Sequence, residues 1–270
     1  MTRIMGVLNV TPDSFSDAGR YRREGDAVDR GVAMAAAGAE IVDVGGESTR
    51  PGARPVDPTT ERRRVLGVVE RLTRRGVRVS IDTLHADTAV AAAARGAEFV
   101  NDVSGGLADP AMAGAVARTG LTYIIGHWRG DPRTMNGLAE YRDPAGEVLR
   151  ELEARILSAR RAGVDESRIV LDPGLGFAKR PEHNWALLTE LPRLLELGFP
   201  VMIGASRKRF LGELVPDSGS LAGRDLPTAV ISVLCAQRNV WAVRVHDVAG
   251  SRVALDTLAA WNAASALLLR

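Results

Sequence analysis

Short β-branched runs alternate with longer Ala-, Leu- and Arg-rich stretches along the whole of this 270-residue chain, and that alternation limits the fold more than any other feature. A strand followed by a helix and then by another strand reads as a βα unit on a parallel sheet. Eight such units can be counted. Strand candidates begin at Ile4, Ile41, Arg78, Glu98, Thr122, Ile169, Pro200 and Val240, and helical stretches lie near 26–38, 60–75, 86–95, 109–119, 144–163, 182–197, 226–238 and 251–268. Gly76, Gly96, Gly120, Gly163 and Gly198 each stand shortly before a strand, where a left-handed glycine ends a helix. The roughly 30-residue βα unit is the only repeat, and no Gly/Ser-rich or Pro-rich linker divides the chain, so residues 1–270 read as one domain. A doubly wound open sheet would alternate in the same way. Eight units, with neither a dinucleotide-binding glycine fingerprint after the first strand nor a Walker-type phosphate loop, favour an α/β fold of the (β/α)8 TIM-barrel type.

Composition narrows the function classes. The 46% hydrophobic and 25% charged fractions are those of an ordinary globular protein. The net charge of +2 is spread along the chain, so there is no nucleic-acid footprint and no polybasic membrane patch. The single cysteine, Cys235, lies in the apolar run VISVLCAQ and reads as a small buried hydrophobe. No secretory leader and no apolar stretch of membrane-spanning length is seen, which points to a soluble cytoplasmic protein. Only two basic residues outside the histidines are lysines, Lys179 and Lys208; the rest are arginine.

Barrel enzymes draw their reacting groups from the C-terminal ends of strands and the loops that follow. Polar residues gather at all eight such ends here: Asn9; Glu47 to Arg50; Asp82 and Thr83; Asn101 and Asp102; His127 and Arg129; Asp172; Ser206 to Lys208; and Arg244, His246 and Asp247. Any one of them reads equally well as a helix cap or a turn residue. Their coincidence at one end, and their chemistry, carry the argument. Carboxylates and an amide suit the donor and acceptor edge of a flat heterocycle, while arginine, lysine and histidine suit an anion. The loops TPDSFSDAGRYRREGD and GGESTRPGARPVDP are long for βα connections and read as lids over that end.

These residues fall in seven motifs, MGVLNVTPDSFSD, VDVGGESTRPG, SIDT, NDVSGG, DPGLGF, GASRKRFLG and RVHDV. In that order, across nearly the whole chain, they resemble the dihydropteroate synthase family. The resemblance implies condensation of 6-hydroxymethyl-7,8-dihydropterin pyrophosphate with p-aminobenzoate in folate biosynthesis, with Mg2+ as cofactor and a homodimer formed through the later helices. It places Asp82, Asn101, Asp172 and Lys208 on the pterin ring, Val103 and Phe177 along the pocket wall, and Arg244 over the ring. Asn9 resembles the residue that helps hold Mg2+, and Thr49, Arg244 and His246 those around the pyrophosphate. Asp13, Phe15, Asp17, Arg50, Pro51 and Ser206 look like the elements that close over p-aminobenzoate. Lys208, Arg244, Asp82 and Asp172 form the implied catalytic set.

The chemistry fits those residue types. Loss of pyrophosphate leaves positive charge on a conjugated carbon, and an aniline nitrogen is a sufficient nucleophile for it, so no activated serine or cysteine is required. Lys208 stands between two arginines in an arginine-rich chain, which suggests that a compact ammonium is needed where a guanidinium is too wide. Two positions depart from the family pattern. Gly126 stands where methionine is common, which should remove a side chain beneath the pterin, and Ala18 replaces a usual glycine of the first loop. The competing reading is a pterin-binding paralogue of the same fold without synthase activity, whose expected mark, damage to the first loop or to the SRK motif, is not found.

Overall fold

The computed structural model describes residues 1–11, 24–47, 56–131, 134–217 and 219–268. The strands are β1 (Arg3–Asn9), β2 (Ile41–Gly45), β3 (Val79–Asp82), β4 (Phe99–Asp102), β5 (Thr122–Gly126), β6 (Ile169–Asp172), β7 (Met202–Ile203) and β8 (Ala242–Val245). All pair in parallel in the order β6-β5-β4-β3-β2-β1-β8-β7. A lone bridge between Leu171 and Val201 joins the two ends, so the sheet comes round into a barrel. The helices are α1 (Glu24–Ala36), α2 (Pro58–Thr73), α3 (Ala86–Ala93), α4 (Met112–Thr119), α5 (Pro144–Arg161), α6 (Pro181–Thr189), α7 (Leu191–Leu195), α8 (Asp225–Gln237) and α9 (Val248–Leu268).

Strand residues alternate between two apolar layers because successive side chains point to opposite faces. Outward residues such as Ile4, Val42, Val44, Ile81, Val100, Ile125 and Ile203 pack against helix residues such as Val65, Leu72, Val116, Leu152 and Ile231. Inward residues Met5, Ile41, Phe99, Ile124, Val170, Met202 and Ala242 fill the lower barrel. Each fully buried Val, Leu or Ile contributes about 1.5–3 kcal/mol, which is why strands covered on both faces read as nearly continuous apolar runs.

Local signals set the helix limits. Asp57 caps α2 by accepting from Thr60 N at 2.9 Å, with Pro58 in the first turn, and Asp143 caps α5 by accepting from Gly146 N at 3.0 Å. The five glycines expected to stop helices all have positive φ, as at Gly120 (φ 69), the C-cap of α4. The helix expected over 182–197 is instead two, α6 and α7. Pro192 lacks the N–H that would continue α6, and its ring would collide with the preceding turn.

Candidate active site

Two residues beyond each inward apolar side chain, the same strand face carries the next layer. Going from Ile41, Phe99, Ile124, Val170, Met202 and Ala242, this step reaches Asp43, Asn101, Gly126, Asp172, Gly204 and Arg244. Sheet register sets Asp43 beside Ser80 and Gly45 beside Asp82. A single period-2 pattern therefore switches from apolar to polar at one height of the barrel.

Arg244 is the centre of this layer. Its Nε donates to Asp43 Oδ2 at 2.6 Å and its Nη2 to Asp82 Oδ2 at 2.7 Å. Asn101 Nδ2 donates to the same Asp43 oxygen at 3.0 Å. Burial opposes the charge of Arg244, and the two carboxylates more than offset that and raise its pKa. Asp43 is fully buried and absent from the residues expected from sequence. Its place inside a strand, between Val42 and Val44, hides it, although a carboxylate in a strand buried on both faces is itself a signal.

Asp43 Oδ1, Asn101 Oδ1 and Ser80 Oγ are buried without a hydrogen-bond partner. Each such orphan costs about 1–3 kcal/mol, so an inner layer with several is organised for something other than stability alone. Asp172 donates nothing and accepts from Gly174 N at 2.8 Å. Burial raises its pKa, against the pull of that N–H, Lys208, Arg244 and Lys179. Lys208 Nζ lies 4.1 Å from the centre of the Phe177 ring, a cation–π distance. Phe177 packs in one apolar cluster with Val103, Trp128, Met135 and Ala178, which forms the wall beside the polar layer.

At the rim, Ser206 and His246 form a pair. His246 N donates to Ser206 Oγ at 3.0 Å, and the same oxygen lies 2.9 Å from His246 Nδ1. A hydroxyl that accepts the backbone N–H can give its own hydrogen to Nδ1, which leaves the ring hydrogen on Nε2. Gly45 keeps a niche open: a Cβ there would stand 3.5 Å from Asp82 Oδ2 and 3.6 Å from Asn9 Oδ1. The two oxygens thus border the same small space.

Gly126, where the resemblance led to the expectation of a lost side chain, leaves no hollow. A Cβ at Gly126 would meet Val103 Cα at 2.5 Å, so the backbone just after β4 already occupies that space. Other polar strand ends do not converge on the site. Asp102 accepts from Ser104 N, Ser104 Oγ, Gly106 N and Tyr123 Oη. Arg129 pairs with Glu147 and Glu151 from α5, Thr83 donates to Glu61, and Arg207 (φ 58) grips Asp225 with two bonds of 2.7 Å. Asp13, Phe15, Asp17, Thr49, Arg50 and Pro51 lie outside the described residues. A cavity of about 470 Å3 at the opposite mouth, lined by Arg3, Arg78, Phe99, Arg168 and Trp241, shares none of the polar layer.

Burial pushes Asp82 up to about 7, with Arg244 opposing and Asp43 adding to the rise. The folded protein therefore holds this proton more tightly than the unfolded chain, whose value is near 3.8. The contribution to stability is full below the unfolded value and is lost as pH rises through about 7. Asp82→Asn removes the titration, so its thermal midpoint relative to the native protein should be higher at about pH 8 than at about pH 5. Calorimetric scans at both pH values check this, and an identical difference at the two would show that the carboxyl is not raised.

A family sequence model described as "Pterin binding enzyme" matches residues 5–246. The dihydropteroate synthase of Mycobacterium leprae (strain TN) is 52% identical over 264 residues, which cover 96% of this chain and 93% of that protein. The solved structure of Xanthomonas albilineans dihydropteroate synthase with 4-aminobenzoic acid matches with a TM-score of 0.88 at 42% identity, over 98% of this chain and 93% of that one. The structure of the same enzyme in complex with 7,8-dihydropteroate matches at 0.85 and 39% identity, over 98% and 94%. With its barrel, its polar inner layer and these relatives, the chain belongs to the pterin-binding enzymes and, within them, to the dihydropteroate synthases.

Proposed function

We propose that the protein joins 6-hydroxymethyl-7,8-dihydropterin pyrophosphate to p-aminobenzoate, forming 7,8-dihydropteroate and releasing pyrophosphate. The observation that carries this reading is the inner layer of Asp82, Asn101, Asp172 and Arg244, with Lys208 and Phe177 alongside, in a chain 52% identical to a dihydropteroate synthase. Asp82 and Asp172 accept N–H groups of the pterin, Asn101 Oδ1 faces a ring donor, and Lys208 donates to a ring acceptor. Val103 and Phe177 flank the ring. Arg244 and His246 offset the charge that gathers on the leaving oxygen as the carbon–oxygen bond breaks and its electron pair departs with pyrophosphate. The aniline nitrogen then forms the new carbon–nitrogen bond and loses a proton.

Mg2+ would be held in part by Asn9. Asn9 offers one hard amide oxygen beside Asp82, and among the described residues no cluster of three or more His, Cys, Asp or Glu side chains would cage a metal. When bound, the ion would neutralise charge on the leaving pyrophosphate. Thr49 belongs near the same group, while Asp13, Phe15, Asp17, Arg50, Pro51 and Ser206 serve p-aminobenzoate.

The protein acts in the cytoplasm as a homodimer. Supporting this, Leu226, Val230 and Leu234 stand four residues apart along one exposed face of α8, with Val253 and Trp261 exposed on α9, an apolar surface suited to a second copy. Among the described residues no helix is long and apolar enough to cross a membrane. The test of function is pyrophosphate release from the pterin substrate. Release that depends on p-aminobenzoate, with 7,8-dihydropteroate formed in equal amount, is expected; tight pterin binding with no release would make the protein a non-synthase paralogue.

A further inference from the structure

The turn after β6, residues 173–179, has an unusual backbone. Gly174 (φ 66), Gly176 (φ 77) and Ala178 (φ 47) all lie in the left-handed region. For Ala178 this costs about 1–2 kcal/mol because its Cβ crowds the following carbonyl. A strained turn keeps one shape only where its surroundings over-determine it.

Lys179 is what does so. Three acceptors converge on its Nζ: Gly174 O and Phe177 O, each at 3.0 Å, and His127 Nδ1 at 2.9 Å. Burial lowers the Lys179 pKa well below the usual ammonium value, against the pull of the Asp172 carboxylate, and only the protonated form has an N–H for each of the three. The imidazole can accept only when it is neutral with its hydrogen on Nε2, and Glu151 Oε2, at 2.9 Å, takes that hydrogen. Burial, and then the neighbouring ammonium, hold His127 down at about 3, so the ring stays neutral. Glu151 is in turn fixed by Arg129 Nε at 3.0 Å. A line of contacts thus runs from α5 across the end of β5 into the turn.

The turn carries Phe177, whose ring faces Lys208 Nζ and shares an apolar cluster with Val103. We propose that Lys179 is a positioning residue of the pterin pocket, which grips the carbonyls of Gly174 and Phe177 and so sets the Phe177 ring against Lys208. This rests on the assignment of Phe177 and Lys208 to that pocket. It also gives the second lysine of this arginine-rich chain a reason to be lysine: one ammonium nitrogen reaches three converging acceptors, whereas a guanidinium spreads its donors in a plane.

The test compares Lys179→Met, Phe177→Ala and the double variant by steady-state kinetics and by calorimetric titration with the pterin substrate. Lys179→Met is expected to raise the pterin KM by about tenfold or more while kcat stays within about twofold. If Lys179 acts through Phe177, the double variant is no worse than Phe177→Ala alone, whereas a separate structural role would make the losses multiply. A normal pterin KM in Phe177→Ala would overturn the pocket assignment and the proposal with it. A raised KM there beside a normal one in Lys179→Met would overturn the proposal alone. Should Lys179→Met fail to fold, the acceptor decides: His127→Leu is expected to raise the pterin KM about tenfold, and His127→Asn, which keeps an oxygen near the Nδ1 position, by no more than about threefold. Equal loss in those two variants would refute the clamp.

Discussion

Replacing Arg244 with alanine is expected to lower kcat/KM for the pterin substrate by about a thousandfold, or ~4 kcal/mol of transition-state stabilisation. The guanidinium bridges Asp43 and Asp82 in the inner barrel, with bonds of 2.6 and 2.7 Å. Without it two neighbouring carboxylates share a site with little water, a loss that commonly costs about 3–5 kcal/mol in buried pairs. Asp82, already raised to about 7, is the group that would take up a proton to relieve it. On the proposed site, protonation would remove an acceptor for the pterin, so binding and turnover are expected to fall together. Steady-state kinetics with saturating p-aminobenzoate measure the effect, and unchanged constants would remove Arg244 from the site.

Gly126→Ala is expected to lower stability through packing alone. The added Cβ would lie 2.5 Å from Val103 Cα and 2.7 Å from its carbonyl carbon and oxygen. These are backbone atoms, so no change of rotamer relieves the clash and the segment that follows β4 must move. Overpacking of this kind costs about 1–3 kcal/mol, which for a chain of this size is a fall in thermal midpoint of roughly 2–10 °C. Val103 shares a cluster with Phe177, so pterin affinity should fall as well. Gly126→Met should do no better, because its Cβ meets the same atoms. A midpoint equal to that of the native protein would show that the strand end yields without cost.

Much of this was legible in the sequence, and for identifiable reasons. Alternation of buried runs with helical stretches predicts the barrel because each βα unit repeats the same physical problem of covering both faces of a strand. The rule that reacting groups sit at strand ends drew attention to Asp82, Asn101, Asp172 and Arg244, which the structure brings into or beside one polar inner layer, while their roles toward a pterin came from the family resemblance. Asp43 was missed because it sits two residues before the end of its strand, where polarity reads as noise. The split of α6 from α7 was missed although Pro192 announces it. The Lys179 clamp was not legible at all: His127 and Lys179 are 52 residues apart, and only the folded turn brings their nitrogens to 2.9 Å.

The lone bridge between Leu171 and Val201 gives the barrel a seam, since β7 is only two residues long and no ladder joins it to β6. Asp172 lies on one side of that seam and Lys208 on the other. On the site proposed above, a pterin held between them would act as a suture across this join. Opening of the barrel at this point would have to release the ligand first, so each tenfold of free ligand above its Kd adds about 1.4 kcal/mol to the cost of parting the two edges.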